Sequence, residues 1–128
     1  MIRIRYTNDS VEGEPGPNFY WEGKPDDFLN LIVEIHSLGK SPGTTIDIGQ
    51  IPFVEVLGEY AVTARSSDNG VILNRRDNGA VLMDLDSSVW RLILEIILRI
   101  SFYPSHEYID FEELKLSEEA NFIISSEG

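Results

Sequence analysis

Asp68-Asn69-Gly70-Val71-Ile72-Leu73-Asn74-Arg75-Arg76-Asp77-Asn78-Gly79 holds two Asp-Asn-Gly triplets around six residues. Asn-Gly supplies two positions that tolerate positive φ, as a tight type I′ hairpin turn requires. Two such turns nine residues apart predict a three-stranded antiparallel meander over roughly 60–67, 71–76 and 80–85. Downstream, Asp86 or Ser87 can cap a helix. It runs through Val89-Trp90-Arg91-Leu92-Ile93-Leu94-Glu95-Ile96-Ile97-Leu98-Arg99-Ile100 and stops before Pro104. Arg91, Glu95 and Arg99 fall at i, i+4 and i+8, a narrow charged stripe on a surface that is otherwise apolar. That apolar arc is wider than a surface helix needs, so the fold clasps this helix on two sides or a partner covers it.

Upstream, Ile2, Ile4 and Tyr6 alternate with Arg3, Arg5 and Thr7 as a strand with one polar face. Residues 8–18 read as a loop, and Phe19-Tyr20-Trp21-Glu22 as a short aromatic strand. A helix opens at Pro25 with Asp26 and Asp27 at its positive end, and Gly39 reads as its C′ residue. Phe28, Leu31, Ile32, Ile35 and Leu38 lie at helical spacing. Further strands are expected over 44–48, 106–111 and 120–126.

The two helices align at an offset of 61, with Leu31, Ile32, Glu34 and Ile35 over Leu92, Ile93, Glu95 and Ile96. Residues 45–48 align with 108–111, and 61–67 with 120–126, in the same order. The expected fold is therefore α+β: one domain over 1–128 built of tandem pseudo-symmetric ββαββ repeats, with halves near 1–67 and 70–126. Its two helices pack on a mostly antiparallel sheet, or between two small sheets, since neither half buries its apolar face alone.

Composition bounds function. The 128 residues carry 10 Lys+Arg against 22 Asp+Glu, a formal charge of −12. Affinity for nucleic acid or an anionic membrane rests on cations, so neither is an expected partner. No cysteine is present, which removes disulfides, thiolate zinc sites and cysteine nucleophiles. The N-terminus lacks the apolar run of a signal peptide, and a cytoplasmic location is the expectation. His36 and His106 stand at no metal-ligand spacing, so no metal and no cofactor are expected. Asp84-Leu85-Asp86 is the exception worth testing. Residues i and i+2 of a strand share a face, so both carboxylates could reach one ion and support a small metal-dependent hydrolase. Otherwise Asp86 caps the helix and Asp84 is a solvated strand end.

Acidity concentrates at the end of the chain. Residues 103–128 hold seven acids against the single base Lys115. Glu107, Glu112, Glu113, Glu118 and Glu119, interleaved with Tyr103 and Tyr108, are the candidate docking surface for a basic protein. Charge would steer the encounter and tyrosine would anchor it. A homodimer through the apolar second helix, serving as a structural protein, is the other interaction the pattern allows.

A small acidic chain with an aromatic strand ending Trp21-Glu22-Gly23 before a helix, and a later strand running His106 to Asp110, resembles bacterial immunity proteins of contact-dependent and polymorphic-toxin systems. The resemblance implies stoichiometric neutralisation of a toxin by binding, without catalysis. A basic nuclease as the toxin would account for the acidity by mimicry of phosphate.

Overall fold

The computed structural model describes residues 1–58, 60–68, 71–76, 78–109 and 120–127, excluding the side chains of Val71, Ile72, Asn74 and Tyr108. Strands β1 (Ile2–Thr7) and β2 (Asn18–Glu22) lead into helix α1 (Pro25–Lys40). There follow β3 (Thr45–Asp47), a 3-10 turn (Ile48–Gln50), β4 (Val54–Val56), β5 (Val62–Ser66), β6 (Val71–Arg75) and β7 (Val81–Leu85). Helix α2 (Ser87–Phe102), β8 (His106–Ile109) and β9 (Asn121–Ser125) complete the α+β fold. Two mixed sheets form, in the orders β4-β1-β2-β9-β8 and β3-β5-β7-β6.

The meander does not form. β6 pairs antiparallel with β7, but β5 pairs parallel with β7, which therefore lies between β5 and β6. The burial demand of each strand explains the order. Val81, Met83, Asp84 and Leu85 of β7 are all buried, which suits a central strand. β6 ends in exposed Arg75, and a charged side chain suits an edge. The turn chemistry also departs from type I′. Gly79 donates to the Arg76 carbonyl at 2.9 Å and Arg76 to the Ala80 carbonyl at 2.8 Å. Only Gly79 of the described turn residues has a positive φ, 88°. Gly79 thus enters β7's side of the hairpin in the left-handed conformation that glycine accommodates. Asn69 and Gly70 of the first triplet lie outside the described residues.

Pairing recurs across the two sheets. β1–β2 antiparallel, β2–β9 parallel and β9–β8 antiparallel match β6–β7, β7–β5 and β5–β3, and β4 adds an edge beside β1. Each sheet thus joins the hairpin of one half to two strands of the other. The helices match at a spacing of 62, not 61: buried Phe28, Leu31, Ile35 and Leu38 correspond to buried Trp90, Ile93, Ile97 and Ile100. At 61, buried Leu31 would fall on Leu92, which is 42% exposed. The residue identities and the burial pattern are one residue out of register.

One core gathers the inner faces of both sheets and both helices, including Trp21, Trp90, Phe28 and Phe122. Most of α2's apolar surface is clasped in this core, and Arg91, Glu95 and Arg99 form its exposed stripe. Gly39 lies within α1, not beyond it. A Cβ there would sit 3.0 Å from Arg91 Cγ and 3.4 Å from Arg91 N, so the glycine admits the close approach of α2. On the outer face of the first sheet, Val11, Tyr20 and Ile123 form a small second cluster. No helix among the described residues is long and apolar enough to cross a membrane.

Candidate functional site

The turn from α2 into β8 brings the described part of the acidic region to the surface. α2 ends where the Tyr103 amide bonds to the Arg99 carbonyl at 3.1 Å, and Pro104 cannot extend the ladder. Ser126 pins the next residue: its amide donates to the Ser105 carbonyl at 2.8 Å, and its Oγ accepts the Ser105 amide at 3.0 Å. Between these anchors, Phe102 is 71% and Tyr103 78% exposed. Two adjacent aromatic rings are thus exposed to water, and exposed aromatic residues of this kind are enriched among interface anchors.

Glu107 of β8 is half-buried, its Oε1 accepting from Arg99 Nε at 3.4 Å. Exposed pairs of this kind contribute little to stability. His106, the preceding residue, faces Glu127 at 3.4 Å and Glu12 at 3.8 Å. Tyr108 continues β8 opposite Ile123, with its side chain outside the description. Glu112, Glu113, Glu118 and Glu119 also lie outside the described residues. The structure therefore places Tyr103 and Glu107 on the same segment from the end of α2 into β8, and it adds exposed Phe102 and the Glu12 and Glu127 carboxylates around His106, which the linear reading did not select. Phe102 was legible as the last apolar residue before Pro104. Glu12 had no local signal, because its place depends on a loop folding over β2.

That loop is held by an asparagine pair. Buried Asn18 donates through Nδ2 to the carbonyls of Asp9 and Glu14, and accepts from Asn121 Nδ2 at 2.9 Å. Val11 and Glu14 exchange backbone bonds of 2.9 and 2.8 Å, leaving Glu12 at the turn with φ 50°. The Tyr20 hydroxyl reaches Glu12 Oε1 at 3.4 Å. Burial chiefly, and the negative charges of Glu12 and Glu22, hold the Tyr20 pKa above its usual value despite a bond with Ser125 that lowers it.

Within the Asp84–Asp86 pair, the Asp84 carboxylate is already held by Arg65 and Ser67. Asp84 is 2% exposed, a correction to its reading as a solvated strand end. Its Oδ2 accepts from Arg65 and its Oδ1 from the Ser67 hydroxyl, each at 2.6 Å. Burial pushes the carboxyl up, but these bonds and the guanidinium charge prevail and hold its pKa below the usual carboxylate range. Asp86 sits at the N-cap of α2, its carbonyl accepting the amides of Val89 and Trp90.

A cavity of about 590 Å³ opens between the end of α1 and the start of α2. His36, Lys40, Asp68, Ser87 and Arg91 line it. Comparison of the chain with protein-family models, curated proteins and solved structures gives no match.

Proposed function

We propose that this chain is a non-enzymatic protein-binding module, and that the α2–β8 corner with the neighbouring acidic segment docks a basic protein. The observation that carries the reading is the exposed Phe102–Tyr103 pair on a pinned corner of a chain with charge −12. The aromatic rings supply desolvated contact area, and the acids steer the approach. Glu107, Tyr108, Glu112, Glu113, Glu118 and Glu119 complete the surface in this reading. Its most specific form is an immunity protein that neutralises a basic toxin by stoichiometric binding, in keeping with the resemblance noted above.

The test is affinity capture from the native organism with the wild-type chain and with the Phe102→Ala/Tyr103→Ala variant. A basic protein held at one-to-one stoichiometry by the wild type is expected to bind the variant about thirtyfold or more weaker, the loss of roughly 2 kcal/mol that defines a hot spot. Its association with the wild type should slow as salt rises, because exposed charges are screened beyond a Debye length of about 8 Å at physiological ionic strength. Charge reversal at Glu112 and Glu113 should slow it further with no change in melting temperature. Equal binding by wild type and the aromatic variant, at salt-independent rates, would refute the proposal.

A further inference from the structure

Three side chains from distant parts of the chain converge on the outer face of the first sheet. His106 opens β8, Glu127 follows β9, and Glu12 sits in the turn of the 8–17 loop. Glu127 Oε2 lies 3.4 Å and Glu12 Oε2 3.8 Å from the same atom, His106 Nδ1. All three donor atoms fall within 4.8 Å of one another.

We propose that Glu12, His106 and Glu127 bind one divalent first-row transition-metal ion, with zinc as the readily tested case. Zinc takes imidazole nitrogen at about 2.0–2.1 Å and carboxylate oxygen at about 2.0–2.2 Å in tetrahedral array, so its donors stand about 3.4 Å apart. The two measured separations already approach that spacing. They are longer than the 2.7–2.9 Å or so of a charge-assisted hydrogen bond, and one Nδ1–H cannot serve two carboxylates well. Two carboxylates around one imidazole also leave the site anionic in either protonation state of the ring, which favours a cation. One nitrogen and two oxygens suit zinc, manganese or nickel, where a softer ion would select sulfur.

The donors are backbone-anchored. β8 pairs His106 with Ser125, and the Glu127 amide donates to Ser125 Oγ at 3.2 Å. Glu12 is fixed by the Val11–Glu14 bridge and by Val11's packing on Tyr20 and Ile123. Tyr20 Oη, which lies near the other Glu12 oxygen, is placed to orient that carboxylate, as outer groups do around metal ligands. All three donors are exposed, so an ion has direct access and retains water at its fourth position.

The experiment is calorimetric titration of the full chain with zinc, paired with nitrogen-15 spectra of the histidine rings. Saturable one-to-one binding is expected, with the His106 Nδ1 resonance shifting on addition of zinc. Glu12→Gln, Glu127→Gln and His106→Gln should each weaken binding about tenfold or more, while His36→Gln leaves it unchanged. Circular dichroism of each variant checks that the fold persists, which exposed positions allow. Absence of saturable binding, affinity indifferent to the three substitutions, or loss with His36→Gln would overturn the site.

Discussion

Asp84 shows how much a single residue's role depends on what stands across from it. In the linear chain it is one of two acids near a strand end. In the sheet, β5 lies beside β7 in parallel with Arg65 opposite Asp84, and the carboxylate is buried under its guanidinium partner and the Ser67 hydroxyl. Asp84→Asn should lower stability by about 1–3 kcal/mol, as expected for losing hydrogen bonds to a buried charge, read from urea denaturation at pH 7. Its pKa is depressed in the folded state, so its contribution is present above the unfolded value of about 3.9 and fades as pH falls through the folded value. The gap between wild type and Asp84→Asn should therefore narrow below pH 4. Trp90 was legible as core because it lies off the Arg91–Glu95–Arg99 stripe, and it is fully buried with its Nε1–H on the Arg65 carbonyl at 2.9 Å. Trp90→Ala should cost about 3–5 kcal/mol, read from the shift in the same denaturation curve.

Among the elements, the helices were the most legible, because a 3.6-residue apolar period extends over four turns and Asp86, Pro25 and Pro104 mark ends. Gly39 is the instructive miss. A glycine near a helix end suggests a left-handed stop, yet α1 continues to Lys40 and Gly39 serves the crossing with Arg91. Gly39→Ala should change stability by less than about 1 kcal/mol, because gained helix propensity offsets a small shift of the Arg91 stem. Gly39→Leu should cost about 1–3 kcal/mol by forcing the helices apart, as overpacking does. Both are measurable by thermal melting. The short strand β4 escaped notice because three residues, Val54-Glu55-Val56, carry too little alternation to distinguish them from loop. The meander was misjudged for a different reason: turn residues specify a reversal, not which strand becomes the neighbour.

At the scale of the molecule, each sheet draws strands from both halves of the chain, so the chain is expected to melt as one cooperative unit. Each sheet needs β1–β2 or β6–β7 from one half and its last strands from the other. Fragments 1–67 and 70–128 should therefore each lack a cooperative melt when made alone, as followed by circular dichroism. A cooperative transition in either would show that a half suffices. Net charge acts on the same scale. At −12, self-repulsion opposes compaction, so the melting temperature should rise between low salt and about 0.5 M sodium chloride. A fall would mean that local pairs such as Arg65–Asp84 outweigh the global field.

The sequence by itself determined the α+β class, the extents of both helices apart from the end of α1, most strand positions, most of the buried faces and the acidic balance. These follow from periodicity, caps and composition, which act over a few residues. Tertiary structure alone decided that β7 runs between β5 and β6, that the buried positions of the two helices match at a spacing of 62 residues and not 61, and that Asp84 is buried in an ion pair. It alone brought Glu12, His106 and Glu127 together. Strand order and side-chain convergence are set by which surfaces bury best against one another across the whole chain, and no local pattern encodes that competition.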